Sequence, residues 1–308
     1  MWYNTDEVKF TIGGYEHLMK LRFTKMHGCG NDYVYVNCLE HMLEKPEQIA
    51  KLVSHRRFGI GSDGLICICP SEKADFRMRM YNADGSEGKM CGNGTRCIAK
   101  YVYDKGLTDK TDFTLETLAG IKTIHVTVKH GKVQFAEVDM GKAILDPKQV
   151  PVQWDGDALL DENLVFPTPE GSQFSMRGSA VSMGNPHFVT FVDDVTHAPV
   201  KQKGTVIEHS SRFPERVNVE FVQILGPNHV KFRVWERGSG ETWACGTGAC
   251  AVAYTCIRLQ KAGKVNGFLM VDVNGGRLQV KVQEDGRIIL KGPVETVFEG
   301  EMELPDSL

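Results

Sequence analysis

The sequence contains no apolar run that approaches the roughly 18 residues of a membrane-spanning helix. Its N-terminus also lacks the basic start and the apolar core of a signal peptide. Nine cysteines at irregular spacing do not form a disulfide framework, and a reducing compartment would keep them as thiols. We therefore expect a cytoplasmic protein that binds no membrane.

Blocks of like charge are absent as well. The net charge is −3, and acidic and basic residues are mixed along the chain. Since no basic stripe interleaved with aromatic residues is present, we expect no nucleic-acid partner. No P-loop is visible, and no Rossmann glycine pattern leads from a strand into a helix. The sequence therefore predicts a protein that uses no cofactor.

The most informative feature is a pattern that occurs twice. Residues 79–97 read RMYNADGSEGKMCGNGTRC, and residues 233–250 read RVWERGSGETWACGTGAC. Within these segments Cys91 and Cys245 are 154 positions apart, and elsewhere Asn31 and Asn185 have the same offset. In a chain of 308 residues, this offset predicts two copies of one unit.

Each repeated cysteine precedes a glycine-containing turn and then a largely apolar run that is typical of a helix. The first N–H groups of a helix have no partner within it and together carry about half a positive charge. They favour a thiolate and attract a carboxylate or phosphate. We therefore predict that Cys91 and Cys245 lie at the N-terminal ends of two helices.

Strand-like segments surround both predicted helices. FTLETL, IKTIHVTV and KVQFAEV are joined by Ala-Gly and His-Gly turns, which is typical of an antiparallel meander. The predicted fold class is α+β, with two pseudo-symmetric domains in which a barrel-like sheet wraps around a central apolar helix. We place an N-terminal extension at residues 1–18, a first unit at 19–139 completed by a strand at about 291–308, and a second unit at 140–290.

Two helix ends that face one cleft could hold a carboxylate, with a thiol on each side of the attached carbon. A thiolate on one face could remove the α-proton while a thiol on the other face delivers one. That exchange inverts the carbon. The pattern therefore predicts a racemase or an epimerase.

Seven motifs also resemble a known family. HGCGND, NADGSE, CGNGTR, SMGNPH, RVNVEF, WERGSGET and ACGTGAC are similar, in order over residues 21–300, to the motif set of diaminopimelate epimerases. The resemblance implies two pseudo-symmetric β-barrels that each enclose a helix, no pyridoxal phosphate, no metal and a homodimer. It also implies conversion of the LL isomer of 2,6-diaminopimelate to the meso isomer, in lysine and peptidoglycan precursor synthesis.

The resemblance assigns roles to particular residues. Cys91 and Cys245 correspond to the catalytic acid–base pair. The residues expected to bind the substrate are Asn31, Asn82, Gly92, Asn93, Asn185, Asn218, Glu236, Arg237, Gly246 and Thr247. His187 and Glu236 resemble the groups proposed to tune the pKa values of the thiols. The family often has glutamine where this chain has Gly64 and tyrosine where it has Phe298, so one pocket contact and the dimer surface differ.

Other interpretations of the same residues remain. Cysteines together with His27 and His187 could bind zinc, although the two thiols of a Cys-x-Cys strand such as Cys67 to Cys69 have no second ligand pair nearby in the sequence. A racemase of proline, hydroxyproline or histidine is a further alternative, but the polar residues suit a substrate with a second charged amino-acid end. Six cysteines are expected to be small buried hydrophobes: Cys38, Cys67, Cys69, Cys97, Cys250 and Cys256.

Overall fold

The structure is a computed structural model that describes residues 19–305. The extension expected at residues 1–18 lies outside the described residues. Within them the chain forms four helices and eighteen strands. The first half contains β1 (Met19–Gly28), β2 (Asn31–Asn37), α1 (Pro46–Ser54), β3 (Gly64–Cys69), β4 (Phe76–Asn82), β5 (Glu87–Gly88), α2 (Gly92–Asp104), β6 (Asp112–Thr117), β7 (Gly120–Lys129) and β8 (Lys132–Lys142).

The second half follows the same order of elements. It contains β9 (Glu162–Pro167), β10 (Gln173–Ser182), β11 (Pro186–Phe191), α3 (Val200–Glu208), β12 (Asn218–Gly226), β13 (His229–Glu236), β14 (Gly240–Thr242), α4 (Gly246–Arg258), β15 (Phe268–Val273), β16 (Gly276–Val282), β17 (Arg287–Pro293) and β18 (Glu295–Leu304).

The predicted repeat is confirmed by these elements. The helices α2 and α4 have 13 residues each and begin 154 positions apart, and β1 and β10 have ten residues each at the same offset. Equivalent ion pairs lie before the two helices, Arg79 with Glu87 and Arg233 with Glu241. The two halves therefore share one local architecture.

Strand pairing connects the two halves. In the second half β9 pairs antiparallel with β10, whereas the equivalent partner of β1 is β18, near the C-terminus. The equivalent strands β8 and β17 pair antiparallel with each other, so the sheet continues from one half into the other. The bounds proposed for the two units stay a prediction.

Both repeated helices are buried by the sheets. In α4, Ala249, Ala251 and Val252 are inaccessible to solvent, as expected for a helix made of small apolar residues. The other helix, α2, differs from the prediction of an apolar helix because it buries two cations, Arg96 and Lys100. The six cysteines expected to be buried hydrophobes are all buried.

A tight hairpin joins the first two strands of the first half. Between β1 and β2, Cys29 and Gly30 both have positive φ angles, of 55° and 80°, which suits a two-residue hairpin turn of the type I′ class. This turn places Asn31 at the start of β2. The segment HGCGND therefore forms the turn between two strands.

Candidate functional site

The two repeated cysteines cap their helices in the same way. Cys91 precedes α2 with φ −128° and ψ 119°, and Cys245 precedes α4 with φ −122° and ψ 115°. Each sulfur accepts a hydrogen bond from the backbone N–H three residues later, at 3.3 Å from Gly94 and 3.4 Å from Gly248. Both thiols are therefore placed at the N-terminal end of a helix, as predicted.

The two helix ends converge. A Cβ atom added to Gly246 would lie 3.6 Å from the Cα of Gly92, so the first residues of the two helices are nearly in contact. The Asn93 amide nitrogen of the first half donates to the carbonyl oxygen of Ala244 in the second half, at 3.4 Å. Unpaired N–H groups of both helices consequently face a common region.

That region is a cleft of about 1710 Å³ between the two halves. The polar residues at the ends of β2, β4, β12 and β13 border it because those strand ends meet at one edge of each sheet. The predicted site residues that line the cleft are Cys91, Cys245, Asn31, Asn82, Gly92, Asn93, Asn185, Asn218, Glu236, Arg237, Gly246 and Thr247. Only His187, among the predicted site residues, does not line it.

On the first side of the cleft, Asn31 joins the thiol to its surroundings. The Asn31 amide oxygen accepts from the Cys91 thiol at 3.3 Å and from the Asn93 amide nitrogen at 3.1 Å. The Asn31 amide nitrogen donates to Asp63 at 2.8 Å, which sets the orientation of the amide. Asp63 was not predicted as a site residue, although it lies in the segment GIGSDG between α1 and β3.

On the second side, Cys245 contacts different groups. Its sulfur lies 3.4 Å from the Thr247 hydroxyl oxygen. Glu236 accepts a short hydrogen bond from Thr242, and its charge acts to raise the pKa of Cys245. Asn218 accepts from the backbone N–H of Arg237 at 2.8 Å, which holds the Glu236–Arg237 segment at the border of the cleft.

His187 lies behind Cys245 and pairs with a buried carboxylate. Its Nδ1 is 2.6 Å from Glu220, and its Nε2 is 3.0 Å from the amide oxygen of Asn185. His187 and Glu220 are fully buried, so this pair is shielded from water. Sequence reasoning missed Glu220, although a carboxylate in the otherwise apolar strand segment VNVEFV is the signal that could have found it.

Burial raises the pKa values of both thiols. For Cys91, hydrogen bonds from the N–H groups of Gly94 and Asn93 act in the opposite direction. For Cys245, the charges of Glu236 and Glu220 add to the effect of burial, and its pKa lies well above the ordinary value. The sequence predicted that the helix ends favour a thiolate. They do so, but the loss of solvation outweighs them.

The structure shows the surroundings of the two departures from the family pattern. A Cβ atom at Gly64 would lie 2.1 Å from the Tyr81 carbonyl oxygen and 2.8 Å from the Tyr33 ring, so a glutamine side chain does not fit unless β4 moves. Phe298 borders the cleft and packs edge-on against Phe23, with ring centroids 5.8 Å apart.

The zinc alternative finds no ligand set in the described part of the chain. Within residues 19–305, no group of three His, Cys, Asp or Glu side chains is placed to hold a metal ion. Both nitrogens of His187 are engaged by Glu220 and Asn185.

Within residues 19–305, none of the helices is long and apolar enough to cross a membrane.

The chain is similar in sequence to proteins of known name. The chain is 52% identical over 287 residues to the diaminopimelate epimerase of Agathobacter rectalis, which covers 92% of this chain and 100% of the relative. It is 47% identical over 285 residues to the diaminopimelate epimerase of Methanococcus maripaludis, with coverage of 92% and 100%.

Solved structures share the fold at much lower identity. A hydroxyproline epimerase from Agrobacterium vitis superposes with a TM-score of 0.68 at 15% identity and 93% coverage of each chain. A phenazine biosynthesis protein of the PhzF family from Bacillus anthracis has a TM-score of 0.65 at 18% identity, with coverage of 93% and 100%. The family model of diaminopimelate epimerases matches residues 23–145 and 179–297. The chain therefore belongs to the diaminopimelate epimerase family.

Proposed function

We propose that this protein inverts one α-carbon of LL-2,6-diaminopimelate to give meso-diaminopimelate, and that two cysteines act as the acid and the base. Its place is in lysine and peptidoglycan precursor synthesis. The single observation that carries the proposal is the pair of thiols that cap two converging helices at one cleft. The relatives named diaminopimelate epimerase support the choice of substrate.

In the proposed reaction, the backbone N–H groups of Gly92, Asn93, Gly246 and Thr247 hold the carboxylate next to the reacting carbon. Two helix N-termini directed at one point favour an anion there. They also stabilise the negative charge that spreads onto the carboxylate when the α-proton leaves. No metal or pyridoxal phosphate takes part in the proposed steps.

The proton transfers balance between the two sulfurs. A Cys91 thiolate takes the α-proton of the LL isomer and becomes a thiol, and the electron pair of the C–H bond remains on the α-carbon. The Cys245 thiol then gives its proton to the opposite face and becomes a thiolate. The reverse reaction begins at Cys245. The assignment of Cys91 to the LL isomer follows the resemblance of the motifs to the family.

The remaining polar residues of the cleft suit the distant end of the substrate. Arg237 supplies a positive charge, and Asn82, Asn185 and Asn218 supply amides. Such a set matches the ammonium and carboxylate groups of a second amino-acid centre. A racemase of proline or hydroxyproline has no use for these groups, and no observation on this cleft favours that alternative.

The test is to incubate the purified protein with LL-diaminopimelate in D2O and to resolve the stereoisomers. Early product should carry deuterium at the inverted carbon, while the recovered LL isomer should carry little, because each face exchanges its proton with a different cysteine. Cys91→Ala and Cys245→Ala should each lower the rate by roughly 10²- to 10⁴-fold. Cys97→Ala, in the same helix as the first thiol, is the matched control and should keep its rate.

Three outcomes contradict the proposal. Absence of the meso isomer with wild-type protein removes the substrate assignment. Early product largely without deuterium, or full activity of either cysteine variant, removes the two-base mechanism.

We further propose that the enzyme is a cytoplasmic homodimer that binds no nucleic acid. Nine free thiols suit a reducing compartment. Val297 and Phe298 are about half exposed on β18 and supply apolar surface suited to a subunit contact. Sedimentation equilibrium should give twice the 34.3 kDa chain mass, and a monomer mass at micromolar concentration contradicts the dimer.

A further inference from the structure

Arg96 is a buried cation that the proposed reaction does not yet use. It lies in the second turn of α2 and is inaccessible to solvent. Its equivalent in the second half, 154 positions later, is Cys250. At this pair of equivalent positions, only the first helix therefore carries a guanidinium.

Two glycines make room for this side chain. A Cβ atom at Gly28 on β1 would lie 3.1 Å from Arg96 Nη2, and one at Gly292 on β17 would lie 2.9 Å from Nε. Any larger residue at either position would press on the guanidinium. The strands on both sides are thus shaped to accept a charged group behind the N-terminal turn of α2.

The contacts of Arg96 are with neutral groups. Its Nη2 donates to the amide oxygen of Asn93 at 2.8 Å, and its Nη1 donates to the carbonyl oxygen of Gly92 at 3.3 Å. Its Nε has no hydrogen-bond partner within residues 19–305. Among the described residues, no carboxylate forms an ion pair with it. Lys100, the next buried cation of α2, is by contrast paired with Asp104 at 2.8 Å.

A buried cation without a counter-ion is unfavourable unless a negative charge is brought to it. The proposed reaction brings such charges, as a thiolate and as a bound carboxylate at the adjoining helix ends. Arg96 also fixes the Asn93 amide. Because the Asn93 oxygen faces Arg96, its nitrogen is directed toward Asn31 and Ala244 at the cleft.

We propose that Arg96 is a positioning residue for the reaction, which orients the Asn93 amide and keeps the N-terminal end of α2 positive when Cys91 is a thiolate. This inference rests on the proposed role of Cys91 as a base. One arginine can serve both helix ends, because the two ends lie at a common point.

The electrostatic surroundings agree with this role. The Arg96 charge acts to lower the pKa of Cys91, in opposition to burial and to the charge of Glu236. The Arg96 charge also acts to lower the pKa values of the Cys29, Cys97 and Cys250 thiols. Tyr33, on β2, also interacts with Cys91, and its phenol stays protonated because burial raises its pKa well above the ordinary value.

The test measures the rate at which iodoacetamide alkylates Cys91 in the full-length folded protein, as a function of pH, by peptide mapping. Arg96→Met should lower that rate roughly tenfold near neutral pH, which corresponds to a rise of about one unit in the pKa of the thiol. The kcat for diaminopimelate should fall more than KM rises. Lys100→Met is the matched control, because it removes the other buried cation of the same helix and should leave the alkylation rate of Cys91 unchanged.

A second variant keeps the test decisive if Arg96→Met does not fold. Arg96→Lys retains the charge but loses the fork that holds Asn93, so alkylation should stay within about threefold of wild type while kcat per folded site falls about tenfold. Wild-type alkylation in Arg96→Met, or wild-type kcat per folded site in Arg96→Lys, would overturn the inference. Alkylation needs no substrate, so failure of the proposed activity would leave this readout intact.

Discussion

At the scale of single residues, the two halves place different chemistry at equivalent positions. Glu236 stands where the first half has Asn82, and His187 stands where it has Tyr33. The charges of Glu236 and Glu220 act on Cys245, whereas Cys91 is hydrogen-bonded to the Asn31 amide and lies in the fields of Glu236 and Arg96. The backbone around the two thiols is nearly the same, yet different charged groups act on their pKa values.

The effect of the Glu236 carboxylate on Cys245 can be tested by substitution. In Glu236→Gln the carboxylate near Cys245 is gone, so the pKa of that thiol should fall and more thiolate should be present at a given pH. Its alkylation by iodoacetamide at pH 8 should then be roughly tenfold faster, for a shift of about one pKa unit.

Asn82→Asp is the reciprocal variant. It adds a carboxylate on the side of Cys91, raises the pKa of that thiol and should slow the alkylation of Cys91 by a similar factor. If Glu236→Gln leaves the rate of Cys245 unchanged, the carboxylate does not set the ionisation of that thiol.

At the scale of elements, the two helices act by their first turns. The N–H groups of Gly94 and Gly248 donate hydrogen bonds to the cysteine sulfurs. Both glycines lie close to neighbouring side chains. A Cβ atom at Gly94 would meet the terminal Cδ1 of Ile66 at 2.6 Å. At Gly248 it would meet Glu220 at 2.8 Å, and that carboxylate is bonded to His187.

The pair of helix glycines gives a matched prediction. An alanine in a helix interior ordinarily stabilises by about 0.5–1 kcal/mol relative to glycine. In Gly94→Ala the flexible end of a side chain can yield, so we expect activity within a few-fold of wild type. In Gly248→Ala the methyl group displaces Glu220 or Cys245, and kcat should fall by at least about tenfold. Steady-state kinetics and thermal unfolding measure both effects, and equal loss in the two variants contradicts the role of the Glu220–His187 pair.

At the scale of the whole molecule, the site exists because two halves are held together. The equivalent strands β8 and β17 pair with each other, and Lys291 forms an ion pair with Glu137 across them at 2.8 Å. β18 returns to β1 in the first half. The cleft between the halves is therefore bordered by residues that lie far apart in the sequence.

Buried thiols make the stability of the whole molecule depend on alkaline pH. Burial raises the pKa values of Cys97, Cys250 and Cys256 to about 12 from an ordinary value of 9.0. The unfolded chain releases these protons above about pH 9 while the folded chain retains them. The free energy of unfolding should therefore be unaffected by these thiols below pH 9 and should fall between pH 9 and pH 12.

Urea unfolding in the presence of a reductant measures this dependence. The control is Cys256→Ala, which removes one of the buried thiols and should make the decline less steep by about one proton. A free energy of unfolding that stays constant from pH 8 to pH 11 contradicts the assignment.

The sequence by itself determined the local features of this protein. The offset of 154 between Cys91 and Cys245 predicted two equivalent units, and the glycine turns after each cysteine predicted the starts of α2 and α4. Capping and turn formation depend on neighbours along the chain, so these predictions could be made without coordinates. The meander of β6, β7 and β8 was predicted for the same reason.

The tertiary structure alone decided what surrounds those features. Asp63 orients Asn31, Glu220 pairs with His187, and Arg96 lies between two distant glycines, because strands remote in the sequence meet there. The ionisation of the thiols was decided in the same way. A helix end is a local property and favours the thiolate, but the burial that opposes it depends on both halves of the molecule, and its effect on the pKa is the larger one.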